Sequence, residues 1–239
     1  MNKSVSLDAY QKLADYYFHH VDEKPANADY ERPGTLSLLP DVESIRVLDA
    51  GCGAGWYTQW LIEKGAAVTS IDFSPNMVKL TKQRVGQNAK VYQANLSEPL
   101  TMIERNTYDL IVSPLTLHYI KDWDVPFKEF NRVLRERGRL VFSVHHPFMD
   151  YTQFNCENYF ATELLEDTWK IPEGEVKVHF YRRPLTEIIK PLYLNGFTIE
   201  KIIEPMPTEK YREKSPDSYA ELTKKPQFLF VRAQKIMSV

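Results

Sequence analysis

The stretch VLDAGCGAGWYTQWL, from Val47 to Leu61, most constrains what this chain can fold into. A short apolar run ends in an acid, Asp49. Three glycines follow at alternate positions, Gly51, Gly53 and Gly55, and an apolar, aromatic-rich run follows directly. The order reads as strand, glycine loop, helix. Glycine has no Cβ, so the loop backbone can approach a ligand closely, and the helix start offers free N–H groups and positive potential. Dinucleotide-binding loops place a pyrophosphate there with the spacing GxGxxG. Here the spacing is GxGxG, and Asp49 would repel a pyrophosphate. The acid suits a ligand carrying a positive charge, an ammonium or a sulfonium. The alternative is a tight turn that only packs strand against helix.

The flanking sequence repeats the strand-helix rhythm. IRVLDA reads as a first strand, with a helix from about Trp56 to Lys64. AAVTSIDF is a second strand, and Pro75 opens a helix to about Val85, where its missing N–H costs nothing. AKVYQAN is a third strand and YDLIVS a fourth, apolar on both faces as a buried parallel strand is. DVPFKEFNRVLRER is a helix ending at Gly138, and RLVFSVHH is a fifth strand stopped by Pro147. The expected class is α/β, a Rossmann-like, mostly parallel sheet with helices on both faces.

After Pro147 the rhythm breaks. YFATELLEDTWKI and EVKVHFYRR flank PEGE and read as a two-stranded β-ribbon, inserted after strand five. PLTEIIKPLYLNGF is a helix, FTIEKIIEP a strand, MPTEKYREKSPDSYAELTKKP a polar excursion with a short helix, and QFLFVRAQK the last strand. Upstream, residues 6–20 carry an apolar stripe at spacings of three and four and read as a helix. VDEKPANADYERPG reads as a loop and TLSLLPDV as a short helix ended by Pro40. The expected organisation is one domain over 1–239. It has a helical lid at 1–40, a cofactor-binding core at 41–147, a substrate cover at 148–183 and the rest of the sheet at 184–239.

Charge limits the partners. Lys and Arg total 30 against 32 Asp and Glu, with no long basic run, so nothing points to nucleic acid or an anionic membrane. No stretch reaches the roughly 20 apolar residues of a membrane span. The N-terminus has no signal-peptide pattern, and a cytoplasmic monomer or homodimer is expected. Cys52 and Cys156 lie far apart, form no CxxC pair and read as reduced thiols.

The motifs VLDAGCGAG, VTSIDFSPNMV, YDLIVSPLTLHYI and FKEFNRVLRERGRLVFS together resemble those of class I S-adenosylmethionine-dependent methyltransferases. The resemblance covers about residues 41–145. It is nearest to the small-molecule, ubiquinone-biosynthesis-type (methyltransferase type 11) subgroup. It implies a seven-stranded sheet with the last strand antiparallel. The cofactor S-adenosyl-L-methionine, released as S-adenosyl-L-homocysteine, would lie across the carboxyl ends of strands one to four. By the same resemblance Asp49, Gly51, Cys52, Gly53 and Gly55 form the cofactor loop, and Asp72 is the ribose acid. Phe73 and Met77 flank the adenine. Asn95 and Leu96 stand at its edge, where an Asp is usual, and the backbone of Ser113 touches the methionine end. Tyr30 and Arg32 are expected to hold the cofactor carboxylate. An NAD-dependent oxidoreductase and a non-catalytic cofactor-binding module are the competing readings of the fold.

The acceptor is expected beyond strands four and five, at the switch point of the sheet. His118 follows strand four, with packing in the core as its alternative. Of His145 and His146 only one can face the pocket, because side chains alternate along a strand; His146 is taken as the pocket residue. The adjacent pair lacks carboxylates at ligand spacing, so no metal is expected. Phe148, Tyr151, Phe154, Tyr159, Phe160, Trp169, Phe180 and Tyr181 make the cover aromatic, and Arg182 and Arg183 are read as solvated. Strand four ends SPLT rather than the [DN]PP[YF] of relatives that methylate planar nitrogens. The expected reaction is O- or C-methylation of a small organic acceptor, with a tRNA or protein acceptor as the alternative.

Overall fold

The computed structural model describes residues 20–172 and 174–237. Apart from His20, the helix read at 6–20 lies outside the described residues. Five parallel strands form the centre of the sheet: β1 (Arg46–Ala50), β2 (Ala67–Asp72), β3 (Lys90–Gln93), β4 (Tyr108–Pro114) and β5 (Leu134–His145). Strand β9 (Phe228–Lys235) runs antiparallel between β5 and β8 (Phe197–Ile203). The spatial order is β3-β2-β1-β4-β5-β9-β8. Strands β6 (Glu163–Ile171) and β7 (Gly174–Arg182) pair antiparallel as a separate ribbon. The expected Rossmann-like α/β sheet, antiparallel last strand and inserted ribbon are all present.

Alternation within the central strands divides the core into two layers. Leu48, Ile111, Leu140 and Phe142 face one cluster. It is completed by α4 (Asp124–Val133), through Phe127 and Phe130, and by α6 (Leu185–Leu194), through Ile188 and Leu192. Val47, Leu110, Val112 and Val141 face the other, against Leu38 of α1 (Arg32–Leu38) and Tyr57 and Leu61 of α2 (Trp56–Glu63). Each such apolar side chain contributes about 1.5–3 kcal/mol on full burial. Burial on both faces is why these strands read as nearly continuous apolar runs. The chain steps outward from β1 to β3, then crosses to β4 on the other side of β1. The carboxyl ends of β1 and β4 therefore flank the crevice where α/β sheets bind ligands.

Three boundaries differ from the sequence reading. The segment read as a loop before the core is helical: a turn of π-helix (Asn27–Glu31) runs straight into α1. Pro33 sits in the first turn of α1, where proline is tolerated. Helix α4 stops at Val133 rather than Gly138, because residues from Leu134 onward are drawn into β5 and pair with β4 around a bulge. The polar excursion holds two short helices, α7 (Glu209–Lys214) and α8 (Pro216–Leu222). Helices α3 (Pro75–Val85) and α5 (Pro147–Gln153) complete the set.

Candidate functional site

The glycine loop turns through the left-handed region, with φ of +89° at Gly51 and +53° at Gly53. Side chains other than glycine rarely adopt this conformation. The Gly51 and Cys52 N–H groups both donate to the Ile71 carbonyl, at 2.8 and 3.0 Å, which ties the loop to β2. A Cβ on Gly51 would lie 2.2 Å from Thr116 Oγ1, whereas one on Gly53 would meet nothing within 4 Å. Gly51 thus permits close packing of the β4 loop, and Gly53 presents bare backbone to open space. That space is a cavity of about 930 Å³, in the range that encloses a small-molecule ligand.

Gly51, Cys52, Gly53, Asp72, Phe73, Met77, Asn95 and Leu96 all line this cavity. Asp72 ends β2, and its carboxylate accepts from the N–H groups of Gly53 (2.9 Å) and Ser74 (2.8 Å). Burial pushes its pKa up while these bonds oppose the shift. Ser74, not Asp72, caps α3, its Oγ accepting from Met77 N. Asn95 closes a turn instead of standing free: Oδ1 accepts from Ser97 N and Nδ2 donates to Glu98.

Asp49 and Gly55 support the loop from beneath rather than lining the cavity. Asp49 is fully buried; Oδ2 accepts from Thr58 Oγ1 at 2.6 Å and Oδ1 has no hydrogen-bond partner. Burial, with Asp72 nearby, pushes its pKa up to about 7 against the bond from Thr58. Ser113 likewise turns inward, its buried Oγ donating to the Ala50 carbonyl.

Of the two residues expected to hold the cofactor carboxylate, Arg32 lines the cavity and Tyr30 does not. Tyr30 is a correction: its ring packs on Phe228 and Tyr211, and its hydroxyl accepts from Gln227 N. The π-helical turn rotates it into the core. The same turn brings in Glu31, which the sequence reading missed. Its carboxylate accepts from Thr35 Oγ1 and Ser143 Oγ at 2.7 Å each, and from Tyr57 OH at 2.8 Å. Burial pushes the Glu31 pKa up, opposed by those hydroxyls. Arg32 stacks 4.1 Å over Trp56 and donates to Asp22.

At the other end lie the ends of β4 and β5 and the ribbon. His118 lines the cavity on the 3₁₀ turn Leu117–Tyr119. The choice between the paired histidines is reversed: His145 lines the cavity and His146 does not. Strand β5 ends at His145, and Pro147 starts α5, which makes His146 the helix cap. His146 Nδ1 accepts from Phe148 N, and Nε2 lies 2.6 Å from Glu204. The signal was in the sequence, since the residue before a helix-opening proline is the capping position. Phe154, Trp169, Phe180 and Tyr181 wall this end, while Phe148 and Phe160 lie exposed.

Arg182 and Arg183 are buried, not solvated. Arg182 donates to Glu163 and to the carbonyls of Asn158, Tyr159 and Ala161. Arg183 lies 4.0 Å over Trp123 and donates to the Ile120 carbonyl; burial lowers its pKa to about 9. Among the described residues no cluster of three or more His, Cys, Asp or Glu could hold a metal, and no helix is long and apolar enough to cross a membrane.

A family model described as a methyltransferase domain matches residues 48–142. The chain is 27% identical to an uncharacterized protein of Haemophilus influenzae, with 99% of each covered. It is 31% identical over 144 residues to a malonyl-[acyl-carrier protein] O-methyltransferase of Hamiltonella defensa, covering 60% of this chain and 53% of that protein. The chain thus spans about half the length of the malonyl-[acyl-carrier protein] O-methyltransferases it matches. An S-adenosylmethionine-dependent methyltransferase from Mesorhizobium loti shares the fold with a TM-score of 0.69 and 26% identity, over 86% of this chain and 97% of that one.

Proposed function

We propose that this chain, a class I S-adenosylmethionine-dependent methyltransferase, methylates oxygen or carbon of a small organic acceptor held beneath the ribbon. The observation that carries the reading is one continuous cavity. It runs from the bare backbone of Gly53 and the carboxylate of Asp72 to the aromatic walls of Phe154, Phe180 and Tyr181. The residues present fit S-adenosylmethionine. Gly53 offers a cradle that any Cβ would fill, Asp72 stands where a ribose acid belongs, and Phe73 and Met77 supply an apolar slot.

When bound, the cofactor supplies an electrophilic methyl group on a sulfonium. The chain's own part is alignment and exclusion of water, since a positioned pair of reactants reacts far faster than the same pair free. Asp72 and the loop fix one end of the cavity. The ribbon and α5 close over the other, and the chain acts as one domain. The malonyl-[acyl-carrier protein] O-methyltransferase relatives support oxygen as the acceptor atom, and the phosphoethanolamine N-methyltransferases matched over 44% of this chain make nitrogen the alternative.

Calorimetry tests the cofactor: S-adenosylmethionine and its demethylated product should bind with micromolar affinity, near −8.2 kcal/mol. Heat with NAD and none with either sulfur cofactor would refute the reading. Screening metabolites for release of the demethylated cofactor then identifies the acceptor. Turnover only with tRNA or protein would remove the small-molecule part.

A further inference from the structure

His118 and His145 stack face to face, ring centroids 4.3 Å apart and planes 22° apart, where the cavity meets the ribbon. Both ring nitrogens of His118 are buried without a hydrogen-bond partner among the described residues. A neutral imidazole carries one donor and one acceptor, and buried polar groups are nearly always satisfied. In a cavity wall, such a ring is placed to meet a polar group that enters. His145 differs: its Nδ1 lies 3.5 Å from Asp150 Oδ1 on α5. We assign the Nδ1 proton from that contact, which leaves the lone pair on Nε2.

We propose that His145 is the base that takes the proton of a hydroxyl acceptor, with Asp150 fixing its tautomer and His118 donating a hydrogen bond to the acceptor oxygen. The inference rests on the methyl-transfer reading above. As the acceptor O–H bond breaks, its proton joins the Nε2 lone pair of His145. The oxygen electron pair forms the bond to the methyl carbon, and the former carbon–sulfur pair stays with sulfur.

Electrostatics decides which imidazole takes the proton. The charged and titratable groups facing the pair are Asp150 from α5, Arg183 after β7, and the phenols of Tyr119 and Tyr181; Phe180 and Phe228 present uncharged rings. Burial first, then His145 and the Arg183 cation, hold His118 well below the ordinary imidazole range. His145 instead has the Asp150 carboxylate beside it, 3.5 Å from its Nδ1. His118 stays neutral, and the proton goes to the ring beside the carboxylate.

The test uses the full chain saturated with S-adenosylhomocysteine and labelled at its histidine rings. Magnetic resonance follows each imidazole from about pH 5 to about pH 8, the range in which histidine titrates. His118 should stay neutral across this range, and Asp150→Asn should shift the His145 ring signals that report its tautomer. Protonation of His118, or no shift in the variant, overturns the assignment. A second arm adds 4-nitrophenol, a hydroxyl compound whose ionisation is visible by absorbance, below its own pKa. The phenolate band should grow with wild type and with His179→Gln, a change on the ribbon outside the cavity lining, beside Glu166, and be lost in His145→Gln. No band with wild type, or equal bands in His145→Gln, overturns the role. Unchanged S-adenosylhomocysteine affinity shows that each variant is folded. If wild type fails to bind that nucleoside, the methyl-transfer reading falls instead.

Discussion

Placing a methyl group on Gly53 separates a loop that binds from a loop that only turns. Gly53 has φ +53°, and an added Cβ would find nothing within 4 Å. Gly53→Ala therefore incurs the left-handed penalty, about 1–2 kcal/mol, with no clash. At about 2–4 °C per kcal/mol for a chain of this size, the melting temperature should fall by roughly 2–8 °C. The bond from Gly53 N–H to Asp72 Oδ2, 2.9 Å, survives the change. Its effect on ligand should be larger, because the methyl occupies the space into which the backbone faces. Calorimetric affinity for S-adenosylhomocysteine should drop at least about tenfold, or 1.4 kcal/mol. Gly51→Ala makes the internal comparison. Its Cβ would sit 2.2 Å from Thr116 Oγ1 and 2.3 Å from Thr116 Cγ2. That stiff side chain would have to leave its bonds to the Gly51 and Pro114 carbonyls. Gly51→Ala should accordingly melt below Gly53→Ala. Unchanged affinity in Gly53→Ala, with the expected fall in melting temperature, would refute the argument that this backbone faces a ligand.

Three further outcomes follow from the geometry. Asp72→Ala should weaken S-adenosylhomocysteine binding at least about tenfold, since hydrogen bonds to a charged group are worth about 1.5–3 kcal/mol. It should also lower the melting temperature, because the Gly53 and Ser74 N–H groups lose their acceptor; normal binding would make Asp72 purely structural. Asp49 has its folded-state pKa raised from 3.8 to about 7, so the folded protein holds this proton more tightly. That stabilisation is full below the ordinary carboxylate pKa and fades as pH rises through about 4 to 7. Thermal melts across this window should show the fall, and Asp49→Asn should flatten it; identical slopes would contradict the burial argument. Arg182→Ala should cost about 1–3 kcal/mol by leaving the carbonyls of Asn158, Tyr159 and Ala161 without their donor. A melting temperature within a degree or two of wild type would show that Arg182 is solvated after all.

The sequence by itself determined the sheet, because its signals are local. In runs such as YDLIVS, Leu110, Ile111 and Val112 are apolar at consecutive positions, which burial on both faces explains. Ser74 before Pro75 fixed a helix start, and Gly51 and Gly53 marked backbone that other residues rarely adopt. That Gly53, Asp72, Phe73 and Met77 share one end of the cavity was legible for the same reason: they lie on the glycine loop, the end of β2 and the first turn of α3, all within 25 positions. What only the tertiary structure decided depends on pieces distant in sequence. Glu31 meets Ser143 across 112 positions, and nothing near Glu31 foretells that bond or the π-helical turn that aims it. Tyr30 and Arg32 are two residues apart, yet that turn sends one into the core and the other to the cavity. Arg182 and Arg183 look like a charged strand end, but the carbonyls of residues 158–161 and the ring of Trp123 bury them. His145 and His146 are equivalent by composition. The end of β5 and the helix opened by Pro147 give one ring to the cavity and the other to a cap, and that packing decides which imidazole can meet an acceptor.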